Sequence, residues 1–197
     1  METNGKRIYL IRHGETEWTQ TGQHTGSTAD IPLNENGKRE AAALKRHLQP
    51  IVFSNIYVSP LKRALETCKL AGFENRAEID SDLVEWNYGD YEGLTTDEIH
   101  QTKPDWELFK DGAPHGETFA QIGARADRFL KKIDECSGDV ALFSHGHFLR
   151  VLAARFLNLS ACEGRSFSLA PASISILGYE RKEPVILLWN VSVFLTL

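Results

Sequence analysis

Two short apolar runs, each closed by a histidine-glycine pair, constrain the fold of this chain most strongly. Residues 8–11 (Ile-Tyr-Leu-Ile) lead into Arg12-His13-Gly14, and residues 140–143 (Val-Ala-Leu-Phe) lead into Ser144-His145-Gly146. A four-residue apolar run that ends at a glycine is typical of a buried strand. Because open α/β sheets bind ligands at the carboxyl ends of their strands, both histidines are expected at the ligand-binding edge.

Helical and strand patterns alternate along the rest of the chain. Apolar residues recur at helical intervals over residues 41–48, 61–71, 117–136 and 148–156. Further short apolar runs indicate strands at residues 55–58, 173–177 and 185–189. This alternation favours a mostly parallel sheet covered by helices on both faces, so we expect a three-layer α/β/α fold.

The chain length suits one domain over residues 1–197, with its core at about 7–190. Residues 173–176 alternate in polarity, which predicts an edge or antiparallel strand. The stretch 85–116, rich in Gly, Asp and Trp, is expected to pass above the sheet and cover the site. Residues 191–197 are apolar, and either a strand extension or a tail fits them.

Composition points to the cytoplasm. The apolar fraction of 42% and the charged fraction of 25% are ordinary for a soluble protein. No run approaches the roughly 18 apolar residues of a membrane span, and residues 1–7 contain no signal-peptide core. The three cysteines are widely separated, which favours reduced thiols. We therefore expect a cytoplasmic protein with no membrane partner, and its apolar edge strands permit a homodimer.

The net charge of −5 limits the ligands. An acidic chain repels phosphates and nucleic acids at long range, so an anion site must be built from clustered donors. The arginines form no stripe or tail, and we expect no nucleic-acid partner.

Four segments, taken in order, resemble the motifs of a known family. They are Arg12-His13-Gly14-Glu15-Thr16, residues 59–67, residues 83–93 and residues 144–147. Over residues 7–178 the chain is similar to the histidine phosphatase superfamily, also called phosphoglycerate mutase-like. The resemblance implies the phosphoglycerate mutase-like fold and a motif histidine that is phosphorylated during catalysis.

Three residues are expected to carry the chemistry. His13, neutral at physiological pH, is the candidate nucleophile. The resemblance implies that Glu85 donates a proton to the leaving group, and that His145, in its protonated form, faces the phosphoryl group. Phosphoryl transfer also needs charge neutralisation, and Arg12 and Arg63 present the planar forks of donors that clamp oxyanions.

Five further residues are expected to bind substrate. Gln23, Thr25 and Gly26 would line the substrate side, and Gly146 would add backbone donors from the start of a helix. His147 would contact substrate. His145 and His147 have the spacing of some metal ligands, but no carboxylate or cysteine cluster accompanies them. We therefore expect no metal site and no cofactor.

The motifs favour hydrolysis of a small phosphorylated metabolite. The family's mutases usually carry asparagine after the motif Trp18, where this chain has Thr19, and no long mid-chain insertion is evident. Residues 85–93, 106–118 and 144–150 are similar to members of the sedoheptulose-1,7-bisphosphatase type. A bisphosphate would need a second basic subsite, for which the candidates are Lys62, His24, Arg39 and His147.

Other activities stay open on the sequence. They are an α-ribazole phosphatase, a phosphatase of broad range, a small phosphoglycerate mutase, and a binding module that keeps the fold without catalysis.

Overall fold

A computed structural model describes residues 5–192. The strands are β1 (Ile8–Arg12), β2 (Asn55–Val58), β3 (Glu78–Ile79), β4 (Val140–Ser144), β5 (Ser173–Glu180) and β6 (Glu183–Ser192). The helices are α1 (Glu17–Thr21), α2 (Glu35–Leu48), α3 (Lys62–Leu70), α4 (Thr96–His100), α5 (Leu108–Asp111), α6 (Phe119–Asp134) and α7 (Gly146–Phe156).

The strands form a six-stranded sheet in the order β3-β2-β4-β1-β5-β6. The pairs β3–β2, β2–β4 and β4–β1 are parallel, whereas β1–β5 and β5–β6 are antiparallel. The mostly parallel α/β sheet is therefore confirmed. The antiparallel prediction for residues 173–176 is also confirmed, but β5 is not an edge strand, because β6 pairs with its outer side.

Successive residues of the central strands pack into two separate cores. Ile8 and Leu10 of β1 lie in one apolar cluster with residues of α6 and α7. Tyr9 and Ile11 lie in the other cluster with residues of α2 and α3. Because side chains alternate across a strand, this division places helices on both faces of the sheet. The predicted three layers are present.

The observed ends of several helices and strands differ from the predicted ones, because local hydrogen bonds determine where these elements begin and end. Helix α6 begins at Phe119 rather than 117, because Thr118 caps it and exchanges hydrogen bonds with Gln121. Strands β5 and β6 extend beyond the predicted runs into a hairpin that turns at Arg181, where φ is +60°. The two-residue strand β3 was missed, since both its residues are exposed and carry no burial pattern.

The helices within residues 5–192 include none whose length and apolar character would let it cross a membrane.

The turn that follows β1 is packed tightly against the first turn of α2. A Cβ atom added to Gly37 would lie 2.0 Å from the Glu15 carbonyl oxygen, and one added to Gly14 would lie 2.4 Å from the Gly37 oxygen. Neither backbone can move without displacing the other. This contact therefore fixes the turn that carries His13.

We expect Gly37→Ala to lower the free energy of unfolding by about 1–3 kcal/mol, the usual cost of overpacking, and to reduce activity by displacing the turn after His13. Chemical denaturation of the variant measures the loss. Gly123→Ala is the matched control, because Gly123 is also helical but its added Cβ would meet Ala161 at an ordinary 3.4 Å. Equal stability of Gly37→Ala and the parent would contradict the contact.

Candidate active site

The pairing of β1 with β4 brings the two histidine motifs together. Arg12 and Ser144 are register partners, and the His13 backbone N–H donates to the Ser144 carbonyl at 3.0 Å. The rings of His13 and His145 consequently lie with their centroids 5.2 Å apart. Both residues are almost fully buried.

A small pocket of about 80 Å³ opens beside His13. It is lined by Arg12, His13, Thr19, Gln23, His24, Thr25, Glu85, Tyr88, Gly146, His147, Arg150 and Leu169. Seven of the ten predicted site residues are in this wall, and the other three, Arg63, His145 and Gly26, lie behind it. The segment 85–116, expected above the sheet, contributes Glu85 and Tyr88.

The geometry of His13 defines which ring nitrogen is free. Its Nδ1 lies 2.7 Å from the carbonyl oxygen of Gly14, which can only accept, so Nδ1 carries the proton and Nε2 carries a lone pair. Burial lowers the pKa of His13 well below its ordinary value, and the charges of Arg63 and Arg12 lower it further. The ring is therefore a neutral imidazole with a nucleophilic Nε2.

Arg12 has a donor left over. Its Nη1 donates to the Leu169 carbonyl, but its buried Nε has no hydrogen-bond partner among residues 5–192. The guanidinium lies against Gly146, where an added Cβ would come within 3.1 Å of its central carbon. An unpaired N–H of a buried cation in a pocket wall is suited to binding an anion.

Arg63 is placed differently from the prediction. It lies in the first turn of α3 as expected, but it is fully buried, and within residues 5–192 it makes four hydrogen bonds with its five N–H groups. Its Nη atoms donate to the carbonyls of Thr25, Gly26 and Ala29, and its Nε donates to Nδ1 of His145 at 3.1 Å. Gly26 likewise gives its carbonyl to Arg63 instead of lining the pocket.

The protonated state predicted for His145 does not fit the structure. A guanidinium only donates, so Nδ1 of His145 must accept from Arg63, and its Nε2–H then donates to the Ser59 hydroxyl at 2.7 Å. Burial lowers the pKa of His145 well below its ordinary value, and the charge of Arg63 adds to the effect. His145 is a neutral imidazole that connects Arg63 to Ser59.

The Glu85 carboxylate accepts hydrogen bonds from backbone N–H groups at the start of α7. Its Oε1 accepts from the backbone N–H groups of Trp86 and Phe148, and its Oε2 accepts from that of His147. The sequence predicts that the N-terminus of α7 binds phosphate through Gly146. In the structure, backbone N–H groups of this N-terminus instead hold the Glu85 carboxylate beside the pocket. A carboxylate at this position is also favoured by the helix dipole.

Histidines and aromatic side chains form the outer wall. The Tyr88 hydroxyl is hydrogen-bonded to Nδ1 of His147, and the rings of His24 and His147 lie 6.5 Å apart. Two predicted members of a second basic subsite, His24 and His147, are thus neighbours. Lys62 instead pairs with Asp30 at 3.5 Å, and Arg39 lies on the exposed face of α2.

Four residues of the wall were missed from the sequence. Arg150 and Tyr88 could have been found, because Arg150 follows Gly146 by one helical turn and Tyr88 follows Glu85 within the same motif. Thr19 and Leu169 carry no pattern that marks them. Within the described part of the chain, no group of three or more His, Cys, Asp or Glu side chains could hold a metal ion.

Comparison with known proteins defines the family. A family model described as the histidine phosphatase superfamily (branch 1) matches residues 8–192. An acid phosphatase of Mycobacterium tuberculosis is 40% identical over 184 residues, which cover 91% of this chain and 90% of that protein. A sedoheptulose 1,7-bisphosphatase of Saccharomyces cerevisiae is 36% identical over 185 residues, covering 78% of this chain and 68% of the relative.

The fold agrees with this relationship. A solved structure of a Mycobacterium tuberculosis open reading frame superimposes with a TM-score of 0.90 at 36% identity, covering 95% of this chain and 98% of the other. A mycobacterial glucosyl-3-phosphoglycerate phosphatase solved with VO₃ superimposes with a TM-score of 0.85 at 26% identity, covering 95% and 100%. The chain belongs to branch 1 of the histidine phosphatase superfamily and is a phosphatase.

Proposed function

We propose that this phosphatase hydrolyses phosphomonoesters without a metal ion, through a phosphorylated His13. The observation that carries the proposal is the free Nε2 of His13, left with its lone pair because Nδ1–H donates to Gly14. The same pocket is lined by Arg12, whose buried Nε has no partner among residues 5–192, and by Glu85. A nucleophile, an oxyanion donor and a carboxyl group that can carry a proton thus share one site.

The reaction takes two steps. In the first, Nε2 of His13 bonds to phosphorus, the bond from phosphorus to the ester oxygen breaks, and protonated Glu85 gives its proton to that oxygen. In the second, a water oxygen bonds to phosphorus, the phosphorus–nitrogen bond breaks, and Glu85 accepts a proton from the water. Alcohol and inorganic phosphate are the products, and His13 and Glu85 return to their starting states.

The two arginines have different parts in this proposal. Arg12 binds a phosphoryl oxygen directly, since it lines the pocket and its Nε has no partner among residues 5–192. Arg63 acts from behind the wall, where its charge stabilises neutral His13 and its Nε orients His145. Both guanidiniums favour the charge that develops on the phosphoryl group in the transition state.

For the substrate, we propose a small phosphorylated sugar, in particular a bisphosphate such as sedoheptulose 1,7-bisphosphate. The similarity to the yeast enzyme of that name supports it. The outer wall supports it as well, because Arg150 there supplies a positive charge beside the imidazoles of His24 and His147, whose pKa values are lowered by burial. A phosphatase of broad range is the second candidate, because the relative of higher identity is called an acid phosphatase, a name that specifies no single substrate.

We expect acid-labile, base-stable phosphate to be trapped on His13 when the enzyme is denatured in alkali during turnover. Mass spectrometry of the peptide containing Arg12-His13-Gly14 locates it. His13→Ala should lose the label and nearly all turnover, whereas His47→Ala should keep both, because His47 is exposed on α2. Substantial turnover by His13→Ala would exclude the intermediate.

The protonation of His13 can be measured directly by NMR titration of its imidazole, assigned with His13→Ala. Since burial and two arginines lower the pKa, the midpoint should lie well below 6.5, with the proton on Nδ1 above it. The nucleophile then loses its lone pair only when the pH falls below that midpoint. A midpoint at or above 6.5 would contradict the electrostatic assignment.

Phosphate release from a panel, with chelator present, tests the substrate. The panel comprises sedoheptulose and fructose bisphosphates with their monophosphates, 3-phosphoglycerate, α-ribazole phosphate and an aryl phosphate. Recognition of the second phosphate predicts at least about a tenfold higher kcat/KM for a bisphosphate, equivalent to roughly 1.4 kcal/mol. Similar, slow release of phosphate from all members would favour a phosphatase of broad range instead. Loss of activity with chelator, restored by a divalent metal, would overturn the metal-free mechanism.

A further inference from the structure

Arg125 is a buried cation that the proposed chemistry does not use. It lies in α6 with 7% of its surface exposed, and it is absent from the described wall of the His13 pocket. A guanidinium has five N–H donors. Arg125 makes five hydrogen bonds, three to backbone carbonyls and two to the carboxylate of Glu117.

The three carbonyls belong to the segment that delivers Glu85. Nη1 of Arg125 donates to Asp82 at 2.8 Å and to Val84 at 2.6 Å, and Nη2 lies 3.4 Å from the carbonyl oxygen of Glu85 itself. This segment leaves a 3₁₀ turn at Leu83 and continues in extended conformation outside the sheet. It is not part of the sheet. The Ser144 hydroxyl donates to its Leu83 carbonyl at 2.7 Å, and the Arg125 guanidinium supplies the bonds to its other three carbonyls, including that of Glu85.

Glu117 extends this hold to the other side of Glu85. It accepts from Nε and Nη2 of Arg125 at 2.9 and 2.7 Å in a two-pronged ion pair. Its backbone N–H donates to the Asn87 carbonyl, and its own carbonyl accepts from the Trp86 indole at 2.7 Å. The chain is therefore anchored immediately before and immediately after Glu85.

Arg125 also contacts the group that binds the Glu85 carboxylate. Its guanidinium carbon lies 4.4 Å from the centre of the Phe148 ring, and the Phe148 backbone N–H donates to Oε1 of Glu85 at 2.8 Å. One side chain thus fixes both the backbone of Glu85 and the residue of α7 that orients its carboxylate.

We propose that Arg125, paired with Glu117, is a positioning residue that sets the Glu85 carboxylate for proton transfer. This rests on the proposed function, in which Glu85 is the proton donor. A buried ion pair is weak evidence for stability, because desolvation offsets its attraction. Placement of an acid has a large effect, since a shift of about 1 Å at a catalytic group can cost on the order of 100-fold in rate.

The test separates proton donation from the rest of the reaction by varying the leaving group. A nitrophenolate leaves without a proton, whereas an alkoxide requires one, so only alkyl phosphates depend on a well-placed acid. kcat/KM, which reports the first bond cleavage, is measured for both ester types with Arg125→Met, Arg125→Lys and Glu85→Gln. Arg128→Met is the control, because Arg128 lies on the same helix with its side chain 62% exposed, and its guanidinium bonds the Asp82 carboxylate rather than the backbone carbonyls near Glu85.

Arg125→Met should lower kcat/KM at least about 10-fold for alkyl phosphates and less than about 3-fold for nitrophenyl phosphates. A general acid contributes roughly 10²–10⁴-fold to the rate, and a misplaced acid should lose part of that contribution. Arg125→Lys should not restore it, because an ammonium cannot bond five acceptors in a plane. Arg128→Met should resemble the parent. Glu85→Gln should show the same selectivity, more strongly.

The outcomes are distinct. If Glu85→Gln is selective and folded Arg125→Met loses both ester types equally, or neither, the positioning role is wrong while Glu85 remains the acid. If Glu85→Gln itself is not selective, the proposed acid is wrong. If circular dichroism shows that Arg125→Met is unfolded, Glu117→Gln is used in its place. This variant keeps Arg125 but removes its counter-charge. A smaller selective loss supports the proposal, and an unselective one overturns it.

Discussion

The parallel pairing of β1 with β4 is the constraint on which the site depends. Its register sets Arg12 opposite Ser144, so both strands end at the same level and each delivers a histidine there. A slip of one residue would turn every side chain of β1 to the other face of the sheet. Helix α7 starts where β4 ends, so the same register also brings its first N–H groups to Glu85.

Around this framework the charges are arranged to favour an anion. Burial lowers the pKa of both Arg12 and Arg63, and the nearby charge of Glu85 opposes that shift in each. His13 and His145 remain neutral beside them, so the imidazoles add no further positive charge. In a chain of net charge −5, the attraction for phosphate is thus built locally from two guanidiniums. A phosphomonoester supplies negative charge that balances the guanidiniums of Arg12 and Arg63.

The sequence predicted the parts that depend on local pattern. Strand runs that end in His13 and His145, and the helix that follows His145, were visible as periodicity and motif. The neutral state of His145 was not, because it depends on Arg63, 82 residues away along the chain. Leu169 enters the site through its carbonyl, which accepts from Arg12, and no side-chain pattern records a carbonyl. Arg125 looks like any polar helix residue until its five bonds are traced in space.

The steric course at phosphorus tests the central claim most directly. A phosphomonoester made chiral with oxygen isotopes is used to follow transfer of the phosphoryl group to an alcohol acceptor. Attack by Nε2 of His13 and then by the acceptor are two in-line displacements, each of which inverts the phosphorus centre. Net retention of configuration is the expected result. Net inversion would mean that the acceptor attacks the ester directly, and that His13 never carries the phosphoryl group.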